Sequence, residues 1–514
     1  VASIKLPVFP LLLVIGIMAL GLRCWQLDRR PMHHDEANQA VRTGGVLETG
    51  VYRYDLEDHH GPTLYYLTLP LAWLSHQRDL AHLSVTTVRL VPVLFGVALI
   101  LSLGLLSRGL GRGTVLCAAA FTALSPAVVY YNRFYIQESV LVFFTFGAII
   151  AGWRHVRTEG TAWALVAGAC LGLMYATKET CVIAYAGMLA GILVVHRHHD
   201  DPWPIRRRHM LNGVAMAAAF AVTLLCSFFT NPAGPVDSVL SFGVYLNRAG
   251  TGGAQVHPWY YYFQNMIFVR HAGGPVWSEG LIVGLALVGG VAAWRRRDFG
   301  GLDERLLRFL TVFTVVVAVL YSLIPYKTPW LMLTFHQGLI LLAGFGVVTL
   351  WRARASWSWR LGVAGVLVAG LMHYSVQLWR TNFRYESDPR NPYAYVQTSR
   401  DFLKLVDRIV TMTALVPAGG GAVVAVVTNP HDAWPLPWYL RKLPDVGYWA
   451  DASSLPVGVK PAVIVTSMDK DQPFDGYETE LYQLRPDVFL NLHVRGDLWR
   501  KFMEKREGSL PVGP

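Results

Sequence analysis

Stretches of apolar residues long enough to cross a lipid bilayer recur through this chain, and they constrain its fold more than anything else in it. A hydrocarbon core is spanned by roughly 17–25 apolar residues in helical form. Such runs lie near residues 6–25, 85–107, 113–131, 134–152, 161–177, 179–196, 209–229, 279–294, 306–325, 328–351 and 360–379. Of the 514 residues, 53% are hydrophobic and only 15% charged, whereas a soluble domain carries about 25% charged residues. The expectation is a mainly α, polytopic integral membrane protein with about eleven transmembrane helices. The first run, "LPVFPLLLVIGIMALGL", has no small-residue cleavage site after it and reads as a retained helix. The segment "PTLYYLTLPLAWLS" (62–75) is shorter and opens with proline, so it reads as a re-entrant or interfacial helix.

Loop charge sets the orientation. Arg108 with Arg112, Arg154 with Arg157, Arg197 with Arg206 to Arg208, Arg295 to Arg297, and Arg352 with Arg354 fall in alternate loops. With eleven spans they share one face, and cytoplasmic loops are the ones enriched in Lys and Arg. The N-terminus is then inside and the C-terminus outside, in the cell (plasma) membrane. The same loops account for much of the net charge of +11, so no nucleic-acid partner is expected. The five cysteines form no CxxC pair and no disulfide framework. After about residue 380 the pattern changes. "YAYVQTSRDFLKLVDRIVTM" reads as an amphipathic helix, and "AVVAVVTNP" and "PAVIVTSM" as buried strands. Residues 1–380 are therefore read as the membrane domain, and 381–514 as a small extracytoplasmic α/β domain. The glycines of "PAGGGAVV" precede a strand and take no phosphate-binding role.

Sorting polar residues by side brings acids and bases from distant positions onto the outer face. The first outer loop carries "PMHHDEANQA", with His33, His34, Asp35 and Glu36, and later His59 and His60. Arg133 and Glu138 follow in "YYNRFYIQES", Lys178 and Glu179 in "YATKET", and Lys327 in "IPYKTPW". Charged groups at membrane depth are costly and are functional candidates by default. The competing reading is that the cations snorkel at helix ends and that Glu138 and Glu179 are their structural partners. The run "HPWYYYF", with His257, Trp259 and Tyr260, reads as interfacial belt or as a substrate-stacking surface. Asp35 and Glu36 are about 100° apart on a helix, so they should differ in role: one chemical, one structural or metal-directed. The loop "TNPHDAWPLPWYLRK" follows a strand, where open α/β sheets place ligand crevices. His431, Asp432 and Trp434 are therefore candidates for acceptor contact, against a reading in which the loop only packs the tail onto the membrane portion.

An acidic pair after the first helix, then "HHGPTLYYL" and "RLVPVLFG", resembles the start of GT-C glycosyltransferases. "YNRFYIQESVLVFF" and "YATKET" are similar to stretches of the protein O-mannosyltransferase and aminoarabinose-transferase group. "YKTPWLMLTFHQGLILLAGFG" and the tail with "WPLPWYLR" resemble a branch named for association with flippase activity in archaeal N-glycosylation. The resemblance implies an inverting transferase that moves a sugar from a polyprenyl-phosphate donor to a glycan, lipid or protein acceptor. It implies Asp35 as the catalytic acid/base residue with Glu36 as its motif neighbour, and Arg133, Lys178 and Lys327 facing the lipid phosphate. Glu138, Glu179, His59 and His60 would be supporting polar groups. No Asp-x-Asp of the oligosaccharyltransferase type is present. A divalent metal is thus left open, with His33 and His34 its only candidates. The alternative is a non-catalytic membrane protein that helps flip or bind lipid-linked sugars. Orientation is checked by impermeant thiol labelling: single cysteines placed after residue 400 should react from outside the cell, and those in "PWPIRRRH" should not.

Overall fold

The computed structural model describes residues 7–55, 60–198, 206–250, 255–271, 273–295, 301–417, 421–456 and 458–507. Among these, the apolar runs are helical. Val85–Leu110, Glu138–Thr158, Cys181–His198, Arg207–Leu225, Glu304–Leu323, Pro329–Ala353 and Trp357–Arg384 are long and apolar enough to cross a membrane. Val8–Cys24, Thr161–Tyr175 and Gly280–Arg295 are shorter apolar helices. Arg112–Leu124 and Pro126–Asn132 form a pair bent by 62°. The break has a local cause. Pro126 lacks an N–H and suits the first position of a new helix. The groups freed there are taken up by buried Glu279, which accepts from Ser125 Oγ (2.6 Å), Ala127 N (2.9 Å) and the Tyr393 hydroxyl (3.0 Å). Gly280–Arg295 packs on Leu333–Ala353 through glycines, since a Cβ on Gly289 would stand 2.0 Å from Leu342 O and one on Gly346 2.1 Å from Leu285 O. Small residues of this kind let membrane helices approach backbone to backbone.

Two further helices differ from the long apolar set. His34–Thr49 is a polar helix whose inward face is buried. Thr63–Leu74, from the short apolar segment, is a 12-residue helix with Pro70 inside it. No apolar run long enough to cross a membrane lies between 209–229 and 279–294. The structure has a helix there, Gly234–Gly250. Its Val236, Val239 and Leu240 are exposed, while Ser238 and Ser241 are buried and meet the hydroxyls of Tyr175 (3.3 Å) and Tyr54 (3.2 Å). That is the two-faced pattern of an amphipathic helix, hidden in sequence by its glycine and proline start.

The C-terminal region carries a five-stranded sheet: β1 Val424–Val427, β2 Val446–Trp449, β3 Val463–Ser467, β4 Tyr477–Arg485 and β5 Val488–Arg495. The order is β2-β1-β3-β5-β4. β1 pairs in parallel with β2 and β3, and β5 pairs antiparallel with β3 and β4. The two strands expected from sequence are β1 and β3, buried along their whole length. The expected amphipathic helix is Asp401–Thr413. The β4–β5 hairpin was not read from sequence, because polar residues line its open face. Backbone contacts fix this region to the bundle. Met32 N donates to the Tyr439 hydroxyl (2.9 Å), and Gln397 Nε2 to Pro31 O (2.9 Å). Arg441 lies 3.8 Å over the Trp438 ring and donates to Leu80 O (3.1 Å) and Leu83 O (2.7 Å). Arg441→Ala should cost about 2 kcal/mol, the scale of a hydrogen bond from a charged donor, measured as a lower detergent-phase melting temperature and faster proteolysis after residue 380.

Candidate active site

The stretch "PMHHDEANQA" becomes the start of the helix His34–Thr49. His33 is its N-cap: its Nδ1 accepts from Asp35 N (3.0 Å), and Glu36 Oε2 accepts from His33 N (3.1 Å). This is a capping box with histidine in the place usually held by Ser or Thr. Glu36 is fully buried. Arg89 grips both its oxygens (Nε to Oε1 2.8 Å, Nη2 to Oε2 2.7 Å), Tyr135 N donates to Oε1 (2.9 Å), and Arg30 Nη2 lies 3.6 Å away. Burial alone would raise this carboxyl; the Arg89 and Arg30 guanidinia override it and hold it at about 2. Every lone-pair direction of Glu36 is thus occupied by protein. Asp35, one residue earlier, turns the other way, with a side chain 41% exposed.

Asp35 opens onto a cavity of about 320 Å³. The starts of four helices line it: His34 and Asp35 of His34–Thr49; Glu138 of Glu138–Thr158 with Gln137 just before it; Val182 and Ile183 of Cys181–His198 with Thr180 before it; and Trp330 and Leu331 of Pro329–Ala353 with Thr328 before it. Lys178 and Glu179 enter from the turn between two helices, as the sequence suggested. Lys178 Nζ donates to Glu138 Oε1. Glu179 accepts from the Tyr54 hydroxyl and lies 2.7 Å from His60 Nδ1. Sequence reasoning missed Asn38, Gln39 and Gln137, although Asn38 and Gln39 stand three and four places after Asp35, on its side of the helix. Gln39 Oε1 accepts from Gln137 Nε2 (2.8 Å) and from the Tyr65 hydroxyl.

The C-terminal region reaches the same mouth. The His34 ring lies 5.4 Å from that of His431 and 5.9 Å from that of Trp434. Burial pushes the His34 imidazole down to about 4, with His33, His431 and Arg485 adding to the shift against Asp35. His34 is therefore neutral beside Asp35 near pH 7. Asp432 is tied to Arg485 instead.

The remaining expected residues are elsewhere. Arg133 does not line the cavity. Its guanidinium donates to the carbonyls of Leu22, Arg23, Trp25 and Gln26 (2.7–3.2 Å), capping the end of Val8–Cys24. Lys327 is buried and donates to Ile324 O and His257 O, turned away from the cavity lined by its neighbours Tyr326 and Thr328. Both cations satisfy carbonyls left open where helices end, which no spacing rule distinguishes from phosphate binding. His257 stacks on Tyr261 (4.2 Å), and Trp259 and Tyr260 are exposed away from the cavity. His59 lies outside the described residues. Among the described residues, no three His, Cys, Asp or Glu side chains are grouped to hold a metal ion. His33 is taken up by the cap and by the rings of Phe134 (5.3 Å) and Trp330 (5.9 Å).

The helical bundle, the polar helix with Asp35 in its first turn and the small sheet beside them make up a fold shared with GT-C membrane glycosyltransferases of known structure. Residues 69–226, less than a third of the chain, match the family described as dolichyl-phosphate-mannose-protein mannosyltransferase. The fold resembles the crystal structure of ArnT from Cupriavidus metallidurans bound to undecaprenyl phosphate, with TM-score 0.63, 16% identity, and 93% of this chain and 97% of that chain covered. It also resembles the archaeal oligosaccharyltransferase AglB from Archaeoglobus fulgidus in complex with an inhibitory peptide and a dolichol-phosphate, with TM-score 0.59, 12% identity, and 90% and 69% covered. No curated protein matches in sequence. The flippase-associated branch has no counterpart in the family match or in these structures.

Glu36→Gln should destabilise the protein by roughly 3–5 kcal/mol, as expected when one partner of a buried pair is removed. The pH dependence has a definite sign. The Glu36 carboxyl falls from 4.5 when unfolded to about 2 when folded. Its contribution, about 3 kcal/mol, is complete above pH 4.5 and is lost as pH falls toward 2. Melting curves across that window should converge for wild type and Glu36→Gln.

Proposed function

We propose that this chain is an inverting glycosyltransferase that moves a sugar from a polyprenyl-phosphate donor to an acceptor on the extracytoplasmic side of the plasma membrane. The carrying observation is the pairing, in one cavity, of a half-exposed Asp35 with Lys178. The lipid phosphates in the ArnT and AglB structures support a lipid-linked donor, and the AglB peptide is consistent with a macromolecular acceptor. Eleven spans with the N-terminus inside would put the cavity and the C-terminal region on the outer face. Residues 1–380 would form the membrane domain and 381–514 the outer one.

In this reading Asp35 accepts the proton of the acceptor hydroxyl. The hydroxyl oxygen attacks the anomeric carbon, the bond from that carbon to the phosphate oxygen breaks, and its electron pair stays on the phosphate. Charge develops there, where a fixed cation is most effective. Lys178 is that cation, and the phosphate competes with Glu138 for it. Glu36, with its oxygens occupied, orients the turn and takes no part in proton transfer. His34, His431 and Trp434 edge the acceptor's approach. The non-catalytic reading, as a lipid-handling partner of another enzyme, has no specific observation in its favour.

The test is transfer of label from polyprenyl-phosphate sugars to membrane extract by the purified protein. Asp35→Asn should melt like wild type and lose roughly 10²–10⁴-fold in rate, the range for a removed general base. Lys178→Met should weaken donor binding as well as rate. Near-wild-type transfer by Asp35→Asn would sink the assignment.

A further inference from the structure

The end of the bundle that carries the cavity is crowded with arginines, and most are engaged within the chain. Arg23 bonds Asn132 and Arg133 caps a helix, Arg390 pairs with Asp388, and Arg400 with Glu386. Arg380 and Arg384 differ. Among the described residues, neither guanidinium makes a hydrogen bond or an ion pair; Arg384 only lies 5.4 Å from the ring of adjacent Tyr385. They occupy the two ends of a single π-helical turn, Arg380–Arg384, closed by Tyr385 N donating to Arg380 O (2.8 Å). Turns of this kind often mark functional positions. With Ser375, Val376 and Trp379, the two arginines border a shallow cleft of about 340 Å³.

The helix below the cleft is apolar on its outward side. Val366, Val368, Met372 and Val376 are exposed, and so is Trp379 above them. Along the axis the order is aliphatic stripe, indole, then two unpaired guanidinia. That sequence matches hydrocarbon, interface and headgroup layers in turn. A guanidinium presents a planar fork of donors that fits phosphate oxygens. On the proposed orientation these arginines also stand against the positive-inside trend, and among the described residues neither has a hydrogen-bond or ion-pair partner to hold it there.

We propose that Arg380, Arg384 and Trp379 form a binding site for an anionic glycerophospholipid, separate from the Asp35 cavity. The phosphate sits between the two guanidinia, and one acyl chain lies along Val376 and Met372. The site does not depend on the transferase reading.

The test is native mass spectrometry of the full-length protein, delipidated in detergent and titrated with phosphatidylglycerol or with phosphatidylcholine of the same acyl chains. Wild type should bind phosphatidylglycerol at least about tenfold more tightly. The double variant Arg380→Gln with Arg384→Gln should lose that preference, a loss on the scale of one or two charge-assisted contacts. Neither side chain is buried, so its melting temperature should match wild type. Retained preference in the double variant would overturn the site, as would equal binding of phosphatidylcholine. Displacement of phosphatidylglycerol by inorganic phosphate, or by an equal amount of undecaprenyl phosphate, would overturn the assignment to a glycerophospholipid.

Discussion

The mouth of the cavity depends on one buried carboxylate. Removing two charges from water costs several kcal/mol per ion unless geometry and further hydrogen bonds offset it. Glu36 meets that condition through Arg89, Arg30 and the amides of His33 and Tyr135. Arg89 carries the contact onward by donating to the carbonyls of Leu27, Arg30 and Pro31. One ion pair therefore joins the loop after Val8–Cys24, the helix containing Arg89, the segment before Glu138 and the turn that bears Asp35. Adjacent residues on a helix point about 100° apart. Holding Glu36 inward fixes Asp35 outward, toward the cavity.

The cations divide by the same logic. A guanidinium or ammonium at a helix end finds a row of unsatisfied carbonyls within reach. Arg133 and Lys327 are spent that way. Lys178 is not, because its turn places it against the carboxylate of Glu138 rather than against backbone oxygens. An ammonium paired with a side-chain acid can be recruited by a competing anion at the cost of one contact. One shared among carbonyls would expose the end of a helix.

Much of the fold was legible because hydrocarbon imposes a length and a composition on every crossing segment. The apolar runs follow from that, and strands β1 and β3 from short, continuously buried apolar stretches; the break near Pro126 was not read, because the run 113–131 is apolar straight through it. The site was legible in part. Asp35, Lys178, Glu138, Glu179 and His60 stand together around one cavity. The roles within "HHDE" were not, because a capping box is usually recognised by Ser or Thr at its first position, and the partner Arg89 lies 53 residues away. Nor could sequence separate Arg133 from Lys178. Both are basic residues between apolar runs, and only the three-dimensional course of the chain decides whether carbonyls or an acid lie opposite.

The scarcity of cations around the cavity raises a question about how an anionic lipid phosphate would be held. Among the described lining residues Lys178 is the only Lys or Arg, against the carboxylates of Asp35, Glu138 and Glu179. The backbone supplies a further positive contribution. Four helices present their first turns to this cavity, and each helix N-terminus carries roughly half a unit of positive charge in its amide dipoles. Such termini bind phosphate without side-chain charge. His34, beside Asp35, has its imidazole pushed down to about 4 by burial and so adds no positive charge there. On the proposed function, a lipid phosphate would be drawn by helix dipoles and one lysine, and Asp35, held outward by Glu36, would take the acceptor's proton.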